Sequence, residues 1–343
     1  MRTACDVTIG IPVFRSKPYL REALLSALAQ SYPGIEIHVQ DDGDDSGAMD
    51  IVRELQSTHP RGACIRTATS PRNEGAGAAR NRIIDQTSTP FLYFMDSDDT
   101  IEPNTIELLM ARQRQHAAQM VYASIETIEL NGKPPVPHQY HPLTTSHADE
   151  LPAYAFMHYG TFQSSVCNVL ISIDFLRSTG LRFSDAAYWE DLLFTYELLP
   201  HVERAVLLPE LTYHYRFRPH SLSQFQDRDH IEKDEVLKNV ATIERLKAYS
   251  RELLAKPYAG YMAYALMMHD LYIVAHIVKK RHQLQPPFSV SEMKAIMHHP
   301  FSLTDIVRLS HYRWRNLVLA CLHRLPSVLF LLAVNMFLRL KMK

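Results

Sequence analysis

Along the first hundred residues the apolar positions follow two patterns in alternation. Val7-Thr8-Ile9-Gly10-Ile11 is a β-branched run closed by Pro12, and Leu20, Ala23, Leu24, Ala27 and Leu28 then recur at helical spacing within residues 19–30 before Pro33-Gly34 breaks the chain. The alternation repeats, with strands predicted over 35–39, 64–68 and 91–95 and helices over 49–55 and 77–85. Strands separated by helices predict an α/β chain built on a mostly parallel sheet with right-handed crossovers. Such sheets bind ligands beyond the carboxyl ends of their strands. A further helix is expected over 105–119 and a strand over 120–127. Residues 131–150, rich in Pro and His, read as a loop or mobile lid. Beyond Pro209 the alternation fades, and residues 229–254, 258–280 and 291–297 predict a mainly α-helical module.

Composition adds exclusions. Of 343 residues 46% are hydrophobic and 21% charged, which is ordinary for a folded protein and excludes a disordered chain or a rod. A formal charge of −1 supplies no global basic field, so no nucleic-acid partner is expected. Cys5, Cys64, Cys167 and Cys321 share no metal-type spacing, and the N-terminal MRTACDVTIGIPVF lacks a signal-peptide pattern. A cytoplasmic chain is therefore expected. The balance conceals an asymmetry: residues 1–305 hold 29 Lys and Arg against 37 Asp and Glu, whereas the last 38 residues hold seven basic residues and no acidic one.

Two acidic clusters close predicted strands. Asp96-Ser97-Asp98-Asp99 follows the apolar run 91–95, and in extended backbone Asp96 and Asp98 project to one side. Paired carboxylates of this kind suit a hard divalent cation that takes its remaining ligands from phosphate and water. A solvated turn with capping aspartates is the competing reading. Asp41-Asp42-Gly43-Asp44-Asp45 repeats the pattern at a neighbouring strand end, with Asp44 and Asp45 read as solvent-facing. Arg80 adds a cation on the helix between the two clusters. Glu190-Asp191 opens an apolar helical stripe, which suits either complementing the helix dipole or a general base held at a cleft.

Taken in order, Val-Thr-Ile-Gly-Ile-Pro-Val-Phe at 7–14, Asp-Asp-Gly at 41–43, Asn-Glu-Gly through Ala-Arg-Asn at 73–81, Phe-Met-Asp-Ser-Asp-Asp at 94–99, Glu-Asp at 190–191 and Tyr-His-Tyr-Arg at 213–216 resemble a family-two inverting glycosyltransferase of the GT-A fold. The resemblance implies a nucleotide-sugar-binding catalytic domain over 1–225 and a helical module with a basic, apolar tail over 226–343. It implies that Pro12 and Phe14 line the nucleobase pocket, that Asp42 accepts a base N–H with Asp41 supporting its loop, and that Arg80 faces base or phosphate. Asp96 would then bind ribose and Asp98 would hold Mn²⁺ or Mg²⁺ on the diphosphate. Asp191 would deprotonate the acceptor hydroxyl, with Glu190 orienting it or touching the acceptor. Arg216, Arg218, His220 and Ser221 would lie on a closing loop within reach of phosphate. The chain departs from the family habit at Arg15, where Asn is usual, at Gly43-Asp44-Asp45-Ser46, where Gly-Ser-x-Asp is usual, and at Arg218, where His is common.

The expected reaction is metal-dependent transfer of a sugar from a nucleotide-sugar, with uridine favoured by family habit, to a hydroxyl of a glycan or lipid-linked acceptor in surface polysaccharide or glycolipid synthesis. A nucleotidyltransferase would want a Gly-rich phosphate loop near the start, which Ile9-Gly10-Ile11-Pro12 is not. A non-catalytic binding protein would have no need of the full carboxylate set. Residues 316–340 are strongly apolar, but their longest charge-free stretch, 325–338, falls short of the roughly 20 residues that span a bilayer. With its basic flanks the segment 308–343 reads either as peripheral contact with an anionic membrane, at the inner face of the cell membrane, or as a helix packed within the C-terminal module or an oligomer interface.

Overall fold

Seven elements at the start of the chain follow the predicted order: β1 (Val7–Val13), α1 (Lys17–Leu28), β2 (Ile35–Asp41), α2 (Ala48–Thr58), β3 (Ile65–Thr69), α3 (Ala76–Gln86) and β4 (Phe91–Phe94). They belong to a computed structural model that describes residues 5–129, 133–160, 162–185, 189–217 and 230–341. Strands β3, β2, β1 and β4 lie side by side and parallel, with Val13 opposite Asp41 and Gly10 opposite Phe94. Val7, Ile9, Ile11 and Val13 on one face and Thr8 on the other are fully buried, as expected of a central parallel strand covered on both faces. Helix α3 packs closely on β1: a Cβ added at Gly10 would sit 2.6 Å from the Ile83 side chain.

The sheet continues through β5 (Thr100–Ile101), α4 (Thr105–His116), β6 (Met120–Glu129), β7 (Val136–His138) and β8 (Leu143–Thr144). After α5 (Glu150–Tyr159) come β9 (Val169–Ser172), α6 (Ile173–Thr179), α7 (Glu190–Leu198) and β10 (Ala205–Phe217). The strand order is β3-β2-β1-β4-β9-β6-β10-β5, in which β9 runs antiparallel to both of its neighbours and β10 parallel to β6.

Two sequence expectations are corrected here. The segment 131–150 contributes β7, paired to β6, and β8, paired to β10, instead of forming only a loop or lid. Pro137 is tolerated because β7 pairs on one side only, so its missing N–H costs no ladder bond. Strand β10 likewise runs through Pro209, where the alternation was expected to fade, by shifting register between Leu208 and Leu211.

The chain divides into two units, one comprising Met1–Glu150, Ser165–Asp185 and His201–Arg218, the other Leu151–Ser164, Ala186–Pro200 and Pro219–Lys343. This differs from a single cut after residue 225. Two earlier segments join the second unit because Phe156 of α5 and Leu192, Leu193 and Tyr196 of α7 are buried in its core. That unit also contains β11 (Ile231–Glu232), α8 (Lys233–Ser250), α9 (Ala259–Lys279), β12 (Leu284–Gln285), α10 (Val290–Ile296), α11 (Leu303–Arg308), α12 (Arg313–Leu322) and α13 (Ser327–Lys341). Helix α9 is long and apolar enough to cross a bilayer, yet 67% of its apolar window is buried, and it serves here as the core helix of the unit. Lys247 of α8, fully buried, ties the unit together through Asp270 of α9 at 2.7 Å and the carbonyls of Ile296 and His298 at 2.8 Å.

Candidate active site

The parallel register of β2, β1 and β4 sets three chain reversals side by side at one sheet edge. At the end of β1, Pro12 and Phe14 are half-buried, and the Arg15 guanidinium lies 5.1 Å from the Phe14 ring centroid. Arg15 adopts φ 50 and donates its backbone N–H to the Asp44 carboxylate at 2.5 Å. That carboxylate also accepts from the backbone N–H of Ser46 at 2.6 Å, and the Asp44 N–H donates to Asp41 at 2.8 Å. Asp44 is therefore a turn-forming residue that links the ends of β1 and β2, not the bare solvated charge the sequence suggested. Arg15 also pairs with exposed Asp45 at 3.8 Å.

Asp42, 2% exposed, points inward from the end of β2. Its carboxylate accepts the backbone N–H of Glu74 at 3.1 Å and of Gly75 at 2.8 Å, and Arg82 stands 3.6 Å away. Burial pushes the Asp42 carboxyl up, against the pull of these N–H donors and of Arg82. As it stands, Asp42 clamps the loop that leads into α3, and a nucleobase N–H would share an acceptor already engaged. The clamp requires glycine next door: Gly43 has φ +72, and a Cβ there would come within 2.6 Å of the Arg72 backbone.

Beyond β4, Asp96, Asp98 and Asp99 diverge in role. The Asp96 carboxylate accepts from the buried Arg80 at 2.8 Å, and Arg80 in turn lies over the Phe183 ring at 5.6 Å. Asp98 is half-buried. Asp99, 1% exposed, accepts the Tyr213 hydroxyl at 2.7 Å and the Arg216 backbone N–H at 2.8 Å, while the Asp96 N–H donates to the same Tyr213 oxygen at 3.1 Å. Burial and the charges of Asp96 and Asp98 push Asp99 well up, and its two donors oppose that shift. Asp99 and Tyr213 thus lock the acidic turn to β10, a role the sequence did not reveal because Asp99 reads as one more turn aspartate.

A second buried hub supports the same turn. Asn168, at φ 60 and fully buried, donates to the carbonyls of Ala123 and Ser124 at 2.9 Å and accepts from Tyr93 at 2.9 Å and Thr212 at 3.0 Å, so both ends of its amide are satisfied. The side chain of Arg216 is directed to α1, 2.7 Å from Glu22 and 5.3 Å from the Tyr19 ring centroid. His214 is held between Glu126 at 2.7 Å and Glu102 at 2.9 Å. Arg218, His220 and Ser221, expected on the closing loop, lie outside the described residues.

Glu190 and Asp191 are in the second unit, in the first turn of α7 and half-buried, with Trp189 at φ 62 preceding them. Asp191 accepts the N–H of Leu192 at 2.7 Å, and the Trp189 ring meets His269 edge-on at 6.0 Å. Among the described residues no group of three or more His, Cys, Asp and Glu side chains is arranged to hold a metal ion. The donor set still fits one. Asp96 is engaged by Arg80 and Asp99 by Tyr213 and Arg216, and an acidic turn of this kind suits a cation delivered with a diphosphate, a mode in which protein supplies one or two oxygens and substrate the others.

The strand order and the acidic turns at the strand ends belong to a fold of the GT-A type. Residues 8–175 match the family "Glycosyl transferase family 2". It is 28% identical over 190 residues to an uncharacterized glycosyltransferase of Haemophilus influenzae, a match covering 54% of this chain and 71% of that one. It is 26% identical over 233 residues to the succinoglycan biosynthesis protein ExoO of Rhizobium meliloti, covering 66% and 65%. The crystal structure of S. aureus TarS 1–349 in complex with UDP-GlcNAc superposes with a TM-score of 0.56 at 18% identity, over 93% of this chain and 90% of that one.

Proposed function

We propose that this chain transfers a sugar from a uridine diphosphate sugar to a hydroxyl of a glycan or lipid-linked acceptor during surface polysaccharide or glycolipid assembly, with inversion at the anomeric carbon. The observation that carries the reading is the parallel register that sets Val13 opposite Asp41 and Gly10 opposite Phe94, so that Phe14, Asp42 and the turn Asp96–Asp99 follow adjacent strand ends. The family-two match over residues 8–175 supports the reaction type, the name of ExoO supports polysaccharide synthesis, and the ligand of TarS supports uridine.

In this reading Pro12 and Phe14 hold the base, and Asp42, supported by Asp41, accepts its N–H. Asp96 binds the ribose while paired with Arg80, and Asp98 binds Mn²⁺ or Mg²⁺. A cation there would neutralise charge developing on the leaving diphosphate. Arg216, Arg218, His220 and Ser221 supply phosphate contacts, for which the Arg216 side chain must leave Glu22. Asp191 takes the acceptor proton as the hydroxyl attacks opposite the leaving group, and Glu190 orients it or contacts the acceptor. No covalent enzyme intermediate is needed.

The test is turnover of a panel of nucleotide-sugars with Mn²⁺ by the wild type and Asp191→Asn. The reading expects one donor to be consumed by the wild type, and Asp191→Asn to lose transfer while retaining UDP affinity. Product from a sugar-1-phosphate and a nucleoside triphosphate, with no donor turned over, would instead indicate a nucleotidyltransferase.

A further inference from the structure

The last two helices are apolar on the wrong side for a surface element. Within α13, Phe330 and Val334 are fully buried against the second unit's core, and Phe337 meets Tyr272 of α9 edge-on at 5.1 Å. Yet Val328, Leu329, Leu332, Met336 and Leu340 of the same helix are 50–72% exposed. At about 100° per residue these five share an arc of about 120°, opposite the buried one. An ordinary surface helix is polar there. Helix α12 repeats the pattern, burying Asn316, Leu319 and Ala320 while Trp314 and Val318, one turn apart, are 72% and 64% exposed.

Charge identifies the occupant. Arg313, Arg315, Arg324 and Arg339 are exposed around these apolar side chains, and no acidic residue occurs after Asp305. A second copy of this chain would bring the same cations against one another, whereas an anionic bilayer surface would complement them. Fifteen residues of helix make α13 about 22 Å long, too short to cross a hydrocarbon core of about 30 Å but suited to lying in the interface plane. Trp314 is the side chain most at home at that depth.

We propose that the exposed faces of α12 and α13 dock the protein on an anionic phospholipid surface, with Leu332, Met336 and Trp314 inserted at the headgroup boundary and the four arginines paired with lipid phosphates. This surface goes beyond the transfer reaction, and its test needs no substrate.

The full chain is floated with vesicles of phosphatidylcholine alone and with vesicles in which phosphatidylglycerol replaces part of it. The proposal expects at least tenfold more protein bound to the anionic vesicles, and at least a tenfold loss with Leu332→Glu/Met336→Glu or with Arg313→Glu/Arg315→Glu/Arg339→Glu. The substituted side chains are exposed, so an unchanged far-UV spectrum and melting temperature verify the fold of each variant. Equal binding to both vesicle types, no binding to either, or a wild-type dimer that Leu332→Glu/Met336→Glu makes monomeric would each overturn it. UDP affinity measured on the same variants without vesicles tells failure of docking from failure of the transferase reading.

Discussion

Tyr213→Phe tests whether the lock behind the acidic turn serves the reaction. The ring is 1% exposed and its hydroxyl joins two strands' worth of structure, donating to Asp99 at 2.7 Å and accepting the Asp96 N–H at 3.1 Å. Phenylalanine keeps the packing and removes both bonds. A bond to a carboxylate contributes about 1.5–3 kcal/mol and a neutral one about 1 kcal/mol, so the turn loses roughly 2–4 kcal/mol of restraint. Asp99 retains only the Arg216 N–H among these partners, and Asp96 and Asp98 are then free to drift from the geometry a metal–diphosphate needs. Residues that orient a ligating carboxylate typically cost 10–100-fold when removed. We expect kcat/KM for the donor to fall by about that factor, with UDP affinity in Mn²⁺ falling in parallel. Steady-state turnover and calorimetric UDP titration measure the two. A variant that loses stability as calculated yet keeps kcat/KM within about twofold would refute the coupling and leave Tyr213 a purely structural residue.

Other expectations follow from buried charge and burial itself. Lys247→Met removes the partner of the 1%-exposed Asp270, a carboxyl that burial already pushes up to about 8, together with the donor to the Ile296 and His298 carbonyls, and should cost about 3–5 kcal/mol, whereas Lys247→Met/Asp270→Leu should recover only the part due to Asp270. Denaturant unfolding followed by tryptophan fluorescence isolates this unit, because Trp189 and Trp314, the chain's two tryptophans, both lie in it. His38 is fully buried with neither ring nitrogen hydrogen-bonded, and burial together with Arg66 lowers it to about 4. Its folded value is below the unfolded one, so the associated stability is present above pH 6.5 and lost as pH falls toward 4, by up to about 1.4 kcal/mol per unit. Histidine NMR should find this ring neutral at pH 5, and His38→Leu should flatten the acid limb of stability measured by far-UV circular dichroism; a ring titrating near 6.5 would contradict the assignment.

What the sequence made legible was the part in which local pattern and global role coincide. Strand β4 is a contiguous apolar run, β1 and β2 carry Val or Ile at every second position, and acidic turns follow β2 and β4 where a parallel sheet presents its ligand-binding edge. Strand β10 was obscured because Pro209 reads as a breaker unless the register shift that accommodates it is known. The second unit's claim on α5 and α7 was invisible for a different reason: Phe156 and Leu192 look like any core residues, and which core they enter depends on long-range packing. Asp99, Tyr213 and Asn168 illustrate the same limit, since a buried polar hub carries no periodic signal. In the sequence Arg82 reads as one more helix cation, and Asp44 as a solvated charge, because its three donors come from backbone and a neighbouring serine.

The central claim is that Asp98 at the end of β4 receives a cation-bound nucleoside diphosphate. Calorimetric titration of UDP with and without Mn²⁺, on the wild type and on Asp98→Asn, tests it most directly. The account predicts UDP binding that Mn²⁺ strengthens at least tenfold in the wild type and leaves unchanged in Asp98→Asn. Absence of UDP binding, or an identical Mn²⁺ enhancement in both proteins, would contradict it.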